Sequence, residues 1–276
     1  MSHRISQYRW YLKKVARRAI ITAGSCRPSG NRKQVRALTY HRCGEAAYDP
    51  FCVSRRDFEA QMQWLAANGL AVSLADLEEF MTGERDLTTG AVLVTIDDGL
   101  RSLWTEMLPV LRQFDIPAVA YVTPSLIDDE AGKPRSYLTW DELHGLAASG
   151  VAIGSHGLTH RSLGEMGPEE VRHEALRSRE MIEQRLGVRV TSFAYPYGTR
   201  ADFSNLTANV LAEVGYTTAF TSQHGSIVPG CDPIELPRIK VEGGEGLWMF
   251  RRLCRGAIDA WRLVDRTLWR VQHCGK

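Results

Sequence analysis

The sequence predicts an α/β fold, a barrel or a doubly wound parallel sheet, and three observations carry that prediction. Strand-length and helix-length segments alternate at least six times between residues 35 and 241. One strand segment, Ala91-Val92-Leu93-Val94-Thr95-Ile96, is β-branched and apolar enough for burial on both faces, and it ends abruptly in Asp97-Asp98-Gly99. Acids at the mouth of a buried strand stand where such folds keep their chemistry. Finally, 276 residues with 44% hydrophobic content suffice for a substantial core.

Charge divides the chain into three. Residues 1–36 hold ten Lys/Arg and no acid, and residues 247–276 hold seven Lys/Arg and two Asp; against a chain total of +2 this leaves the body between them at −13. An acidic body excludes nucleic acid as a partner, whereas basic ends suit an anionic membrane surface. The expected organisation is a basic N-terminal extension over 1–34, a catalytic body over 35–245 and a basic amphipathic helix over 246–276. Six cysteines are scattered without a Cys-x-x-Cys pair, which points to reduced thiols and away from a disulfide framework or a zinc knuckle.

In chain order, Trp10 to Ile21 mixes basic and apolar residues at helical spacing, as an interfacial amphipathic helix or a basic tail would. The uncharged stretch Ala19–Cys26 is short for a membrane span or a signal-peptide core, so a cytoplasmic protein is expected, peripheral on the inner membrane face. Val35–Tyr40 reads as the first strand, with His41 at its mouth; Arg55–Asn68 as a helix ended by Gly69; Leu70–Val72 as a short strand; and Leu74–Thr82 as a helix capped by Ser73. After the Asp97 strand come a helix over Arg101–Phe114, a strand over Ala118–Val122, a polar loop over Asp128–Tyr137 and a Thr139-capped helix stopped by Gly150. Val151–Gly154 and Ser192–Tyr195 are strands on either side of a long charged helix opened by Pro168 and halted by Gly187. Leu206–Val214 is the next helix, and Thr218–Phe220 and Ile239–Val241 complete the strands. The last stretch, Leu247–Val271, spaces Phe250, Leu253, Cys254, Ala257, Ile258, Trp261, Val264 and Leu268 as one helix, packed on the body or lying in a membrane interface.

Three further pieces follow strands. Gly154-Ser155-His156-Gly157-Leu158-Thr159-His160 sets two histidines four apart, a spacing at which one helical turn faces both toward a single ion. With a carboxylate they make three ligands and an open position, as a catalytic zinc site requires, although such pairs also arise by surface chance. Phe193-Ala194-Tyr195-Pro196-Tyr197-Gly198 breaks a strand into a turn that offers Tyr197 and backbone amides as a sugar wall and oxyanion pocket, or else caps a core. Leu236-Pro237-Arg238-Ile239 carries an arginine into the final strand, where it orients a carboxylate or sits on the surface. Adjacent Asp97 and Asp98 share a site only if the chain turns there, and Gly99 permits the turn.

On these motifs the chain resembles the polysaccharide deacetylase family with its NodB-homology domain, over roughly Val35 to Glu245. Thr95-Ile96-Asp97-Asp98-Gly99 resembles the family's first motif, with Ile96 for phenylalanine; Ser155 to His160 its second, with Gly157 at the Ser/Thr position; Tyr195-Pro196-Tyr197-Gly198 its third. The resemblance implies a deformed (β/α)7 barrel, Asp97 as general base, and Asp98, His156 and His160 as ligands of a divalent metal, zinc (Zn) first and cobalt, nickel or manganese as alternatives. The arginine that many members carry before the third motif is Ala194 here, which makes Arg238 the candidate to steady Asp97. The family's Leu-x-His acid motif has no copy, leaving His224 and His41 as candidate acids, while Tyr197, Pro196 and His41 are candidate substrate contacts. Leu-Thr-Tyr-His, Phe-Ala-Tyr-Pro-Tyr-Gly and Leu-Pro-Arg-Ile resemble the branch that serves exopolysaccharide and lipid-linked glycan synthesis. The expected reaction is removal of an acyl group, N-acetyl first, from an N-acetylated glycan or lipid-linked sugar; the alternatives are another metal-dependent amide or ester hydrolase and a non-catalytic glycan-binding module.

Overall fold

A computed structural model describes residues 2–24, 33–46, 48–127 and 136–267. The elements are α1 (Ser2–Gly24), β1 (Arg36–Tyr40), β2 (Arg42–Cys43), β3 (Cys52–Val53), α2 (Arg55–Ala67), β4 (Ala71–Val72), α3 (Leu74–Thr82), β5 (Val92–Ile96), α4 (Leu108–Gln113) and β6 (Ala118–Val122). They continue with α5 (Trp140–Ala148), β7 (Ala152–Ser155), α6 (Pro168–Leu186), β8 (Ser192–Ala194), α7 (Asn205–Val214), β9 (Thr218–Phe220), β10 (Arg238–Lys240), α8 (Gly246–Cys254) and α9 (Arg262–Thr267).

Seven parallel strands run side by side in the order β10-β1-β5-β6-β7-β8-β9, with β4 paired to the start of β5. The segment before β10 closes the ring onto β9: the Leu236 N–H donates to Ala219 O at 2.9 Å and the Thr221 N–H to Leu236 O at 2.8 Å. This is a deformed (β/α)7 barrel rather than an open sheet.

Side-chain parity decides what the barrel encloses. Along β5, Val92, Val94 and Ile96 join the core under the helices, whereas Leu93 joins a second cluster with Ala37, Val119, Tyr121, Ala194 and Phe220. Thr95 and Asp97 follow Leu93 at intervals of two, so the acid points inward. Counted the same way, Thr39 and His41 follow Ala37, and His156 follows Gly154. Inward parity therefore delivers Asp97, His41 and His156 to one mouth.

Local signals set most boundaries. Ser73 with Asp76 and Thr139 with Glu142 form reciprocal capping boxes on α3 and α5, and Pro168 opens α6. The expected helix over Arg101–Phe114 begins instead as a wide π-turn, Leu103–Met107, before α4, because Pro109 has no N–H to continue the ladder. Val35 pairs antiparallel with Ile227 just outside β1. Residues 128–135 of the expected polar loop, and 268–276, lie outside the described residues.

The two basic ends are not appendages. Ile21 of α1 is fully buried in the main core and α1 packs on α8, where Gly24 meets the Ala257 carbonyl so closely that a Cβ would lie 1.8 Å from the oxygen. Lys14 pairs with Glu242 at 2.7 Å, and Arg17 pairs with Glu245 and donates to Lys240 O at 2.6 Å. Burial raises the Glu242 carboxyl, but Arg17, Lys240 and Lys14 outweigh it and hold the group at about 2. Glu245 runs the other way, burial winning over Arg17. Within the described residues the single amphipathic helix expected over 246–276 is interrupted: Gly256 breaks it at φ +85°, and a Cβ there would lie 2.3 Å from an Arg36 guanidinium nitrogen. Phe250, Leu253, Cys254, Ala257 and Ile258 are buried in the main core, so the break lets this stretch wrap the barrel. No helix of the described residues is long and apolar enough to cross a membrane.

Candidate active site

Asp98 resolves the two-acid problem in a way that differs from expectation. Gly99 has φ +66°, but Asp98 itself already sits at φ +73°, a left-handed conformation costing about 1–2 kcal/mol for a residue with a Cβ. That turn swings Asp98 out of strand alternation and beside Asp97. His160 and Tyr197 are held at φ +59° and +62°, so backbone strain concentrates around this mouth.

The two histidines converge on Asp98, although not on a helix. Residues 156–160 form a loop, and His156 Nε2 and His160 Nε2 approach Asp98 Oδ1 at 3.5 and 3.3 Å. One donor atom from each of the three lies within 4.8 Å of the others. His156 Nδ1 is 2.7 Å from Ala194 O, and the carbonyl can only accept, which puts the proton on Nδ1 and turns the Nε2 lone pair inward. This donor set fits a divalent cation: a buried acid and a partly exposed one beside two imidazoles call for positive charge at their centre.

Glu174 of α6 fixes the loop. Its carboxylate accepts from the Leu158 and Thr159 N–H groups, each at 2.9 Å, and from Thr159 Oγ1 at 2.6 Å. Gly157, at φ +78°, leaves room for it, since a Cβ there would lie 3.4 Å from Glu174 Oε2. Glu174 is absent from the sequence-based candidates, yet it carries a signal: a lone acid on the buried stripe of Val171, Ala175, Ser178 and Ile182.

Asp97 is buried and gripped bidentately by Arg238, Nη1 to Oδ1 at 2.7 Å and Nη2 to Oδ2 at 2.8 Å. The guanidinium climbs the barrel interior from a start level with Ala37, touches Thr95 Oγ1 at 3.2 Å and lies over the Tyr121 ring. Burial alone would raise the Asp97 carboxyl; Arg238, then His156 and His41, more than offset it and leave the group below its usual value. Asp98 is likewise lowered against burial, chiefly by its contacts with His156 and His160.

A cavity of about 550 Å³ opens above these groups, and Tyr197, His41, His224, Phe51 and Lys240 line it. Tyr197 is half exposed with its ring edge-on to His160, centroids 5.1 Å apart. The Gly198 N–H is used within the turn, donating to Pro196 O at 2.7 Å. Pro196 is buried beside Gly157 rather than among the lining residues, so it shapes the histidine loop instead of facing the cavity. The candidate acids differ. His224 is tied by its backbone N–H and Nδ1 to Asp265 at 2.8 and 2.9 Å, a partner from α9 that no sequence pattern signals. His41 packs edge-on against Phe51 with its Nδ1 buried and unpartnered, and burial lowers its pKa against the pull of Asp97 and Asp98.

A closed α/β barrel whose mouth gathers paired acids and imidazoles defines the class as a barrel hydrolase. The sequence model of the polysaccharide deacetylase family matches residues 84–219, which include the Asp97, His156 and Tyr197 segments. That match spans 136 of the chain's 276 residues and makes polysaccharide deacetylase the family this chain resembles. Among curated relatives, YxkH of Bacillus subtilis (strain 168), itself named for this family, is 24% identical over 208 residues, covering 75% of this chain and 71% of its own. The poly-β-1,6-N-acetyl-D-glucosamine N-deacetylase of Escherichia coli (strain K12) is 26% identical over 255 residues, 78% of this chain but only 37% of that longer protein. Among solved structures, the deacetylase PplD of Streptococcus pyogenes, in complex with acetate, shares the fold with TM-score 0.72 at 18% identity, over 81% of this chain and 98% of its own.

Proposed function

We propose that the protein removes the N-acetyl group from an N-acetylated glycan or lipid-linked sugar, with a divalent metal held by Asp98, His156 and His160. The observation that carries this reading is the convergence of the two Nε2 atoms on Asp98 Oδ1 while Asp97 is held apart by Arg238. The N-acetylglucosamine polymer named for the Escherichia coli relative supports the substrate class. Bound there, zinc or a similar cation supplies a more acidic water and positive charge beside the acyl oxygen. Asp97 accepts the proton of the attacking water, kept ionised and aimed by Arg238. His224 or His41, both of which line the cavity, gives a proton to the departing amine. Tyr197 forms the wall against which a sugar ring packs.

The direct test is mass spectrometry of N-acetylated glucosamine oligomers incubated with zinc-loaded protein. Loss of one acetyl mass with matching acetate release is expected. Turnover of O-acetyl esters or small amides alone transfers the site to the alternative hydrolase reading, and stoichiometric glycan binding without turnover or metal makes it a binding module.

Two variants probe the supporting residues. Arg238→Met removes the charge that outweighs burial at Asp97, so the Asp97 pKa rises and less of the base is ionised at low pH. The acid limb of kcat/KM should therefore move to higher pH, with a loss of about 10²-fold from misplacement; an unmoved limb would separate Arg238 from the base. Glu174→Gln keeps the side chain's shape but cannot accept from three donors as a carboxylate does. Zinc affinity, measured by competition with a chelating dye, should fall roughly 10–100-fold with the fold intact.

A further inference from the structure

We infer that the outer face of α1, continued by Trp248 of α8, is a docking surface for an anionic lipid bilayer. The described part of the helix carries charged and apolar residues on both its faces. Its charged residues Lys14 and Arg17 turn toward the protein and pair with Glu242 and Glu245, and Ile21 and Gly24 lie along the same inner face. Ile20 and Ile21 also face the core, but a second set of apolar residues turns away: Tyr11, Leu12 and Val15 are 55%, 53% and 67% exposed, with Ala16 and Ala19 beside them. A helix packed on a barrel in water leaves no apolar stripe of this kind on its outer face. Glu242 and Glu245 give Lys14 and Arg17 partners on the buried side, which holds the helix in this orientation.

Charge chooses the occupant. Arg18 and Arg252 flank the half-exposed Trp248 ring from two helices, their guanidinium carbons 5.5 and 4.2 Å from its centroid. Tryptophan and arginine bordering an exposed apolar stripe match the interface of a bilayer, where the ring sits at the headgroups and the cations meet phosphate. Residues 1–36 contain no acid, so nothing on α1 opposes a negative surface. A second copy of the chain fits less well, since a two-fold contact would press this face, which carries Arg18 and Arg252, against an identical cationic face. The same helix reaches the catalytic mouth, for Arg17 and Glu242 line the cavity. A bilayer against the outer face of α1 therefore sets the cavity rim beside the headgroups, where a lipid-carried sugar is presented; that last step rests on the proposed function, whereas bilayer binding does not.

The test is flotation of the full chain with phosphatidylcholine vesicles, with and without phosphatidylglycerol, at low and high salt. Flotation with the anionic vesicles only, weakened by salt, is expected. Leu12→Glu/Val15→Glu changes exposed side chains alone, so it should keep the wild-type melting temperature and activity on soluble oligomers while flotation drops at least about tenfold. Arg18→Gln/Arg252→Gln should reduce the gain from phosphatidylglycerol. No flotation of the wild type, or equal flotation of the glutamate variant, overturns the proposal. So does a concentration-dependent dimer, seen by analytical ultracentrifugation, that the glutamate variant abolishes while vesicles are ignored. Flotation involves no turnover, so its failure is distinct from failure of the deacetylase reading.

Discussion

Asp97→Asn should retain stoichiometric metal and lose turnover by roughly 10²–10⁴-fold, the usual contribution of a positioned general base. Asparagine is nearly the same size, and Asp97 is not among the three groups that converge on the candidate metal position. The amide cannot accept the water's proton. It also turns an NH2 group toward Arg238, whose guanidinium is buried and would lose half of its bidentate partner. Breaking a buried pair from one side costs about 3–5 kcal/mol, so thermal melting and metal content must be read with the rate. Asp97→Asn/Arg238→Met removes the stranded charge and should recover stability without recovering turnover. An unchanged rate in the single variant would remove Asp97 as the base.

Loss of the metal position should be equally severe by a different signature. Exhaustive chelation is expected to abolish acetate release, with zinc restoring it and cobalt, nickel and manganese compared in the same assay. His160→Ala should lower metal content and rate together, because its Nε2 is one of the three converging donor atoms and its partly exposed ring is not a core element. His156→Ala should do the same at greater cost to stability, since His156 is buried and hydrogen-bonded to Ala194 O. Full activity in protein shown by elemental analysis to be metal-free would exclude a metal role for Asp98, His156 and His160.

Much of the site was legible because strand geometry is local. Once Leu93 is assigned to the interior, a period of two puts Thr95 and Asp97 there, and the same count places His41 and His156. Other features obeyed no local period. The histidine pair reads as a helical turn by spacing, yet it lies on a loop because Gly157 and His160 take left-handed conformations and Glu174 satisfies the exposed amides. Asp98, not Gly99 alone, makes the turn that lets both acids share a mouth. The terminal helices are legible only in part, for a related reason. Their amphipathic pattern reports which residues share a face, but not whether that face meets protein, water or lipid.

From residues alone followed the alternation of elements, the placing of the acids at a strand mouth and the donor types at each mouth, because bonded geometry fixes these over a few positions. Arg238 was already the sequence's candidate beside Asp97, whereas the tertiary structure alone decided that Glu174 fixes the histidine loop and that α1 docks with Lys14 and Arg17 inward. Lys14 and Glu242 are 228 residues apart. Such pairings depend on how the ring closes in space, and no window along the chain contains both partners.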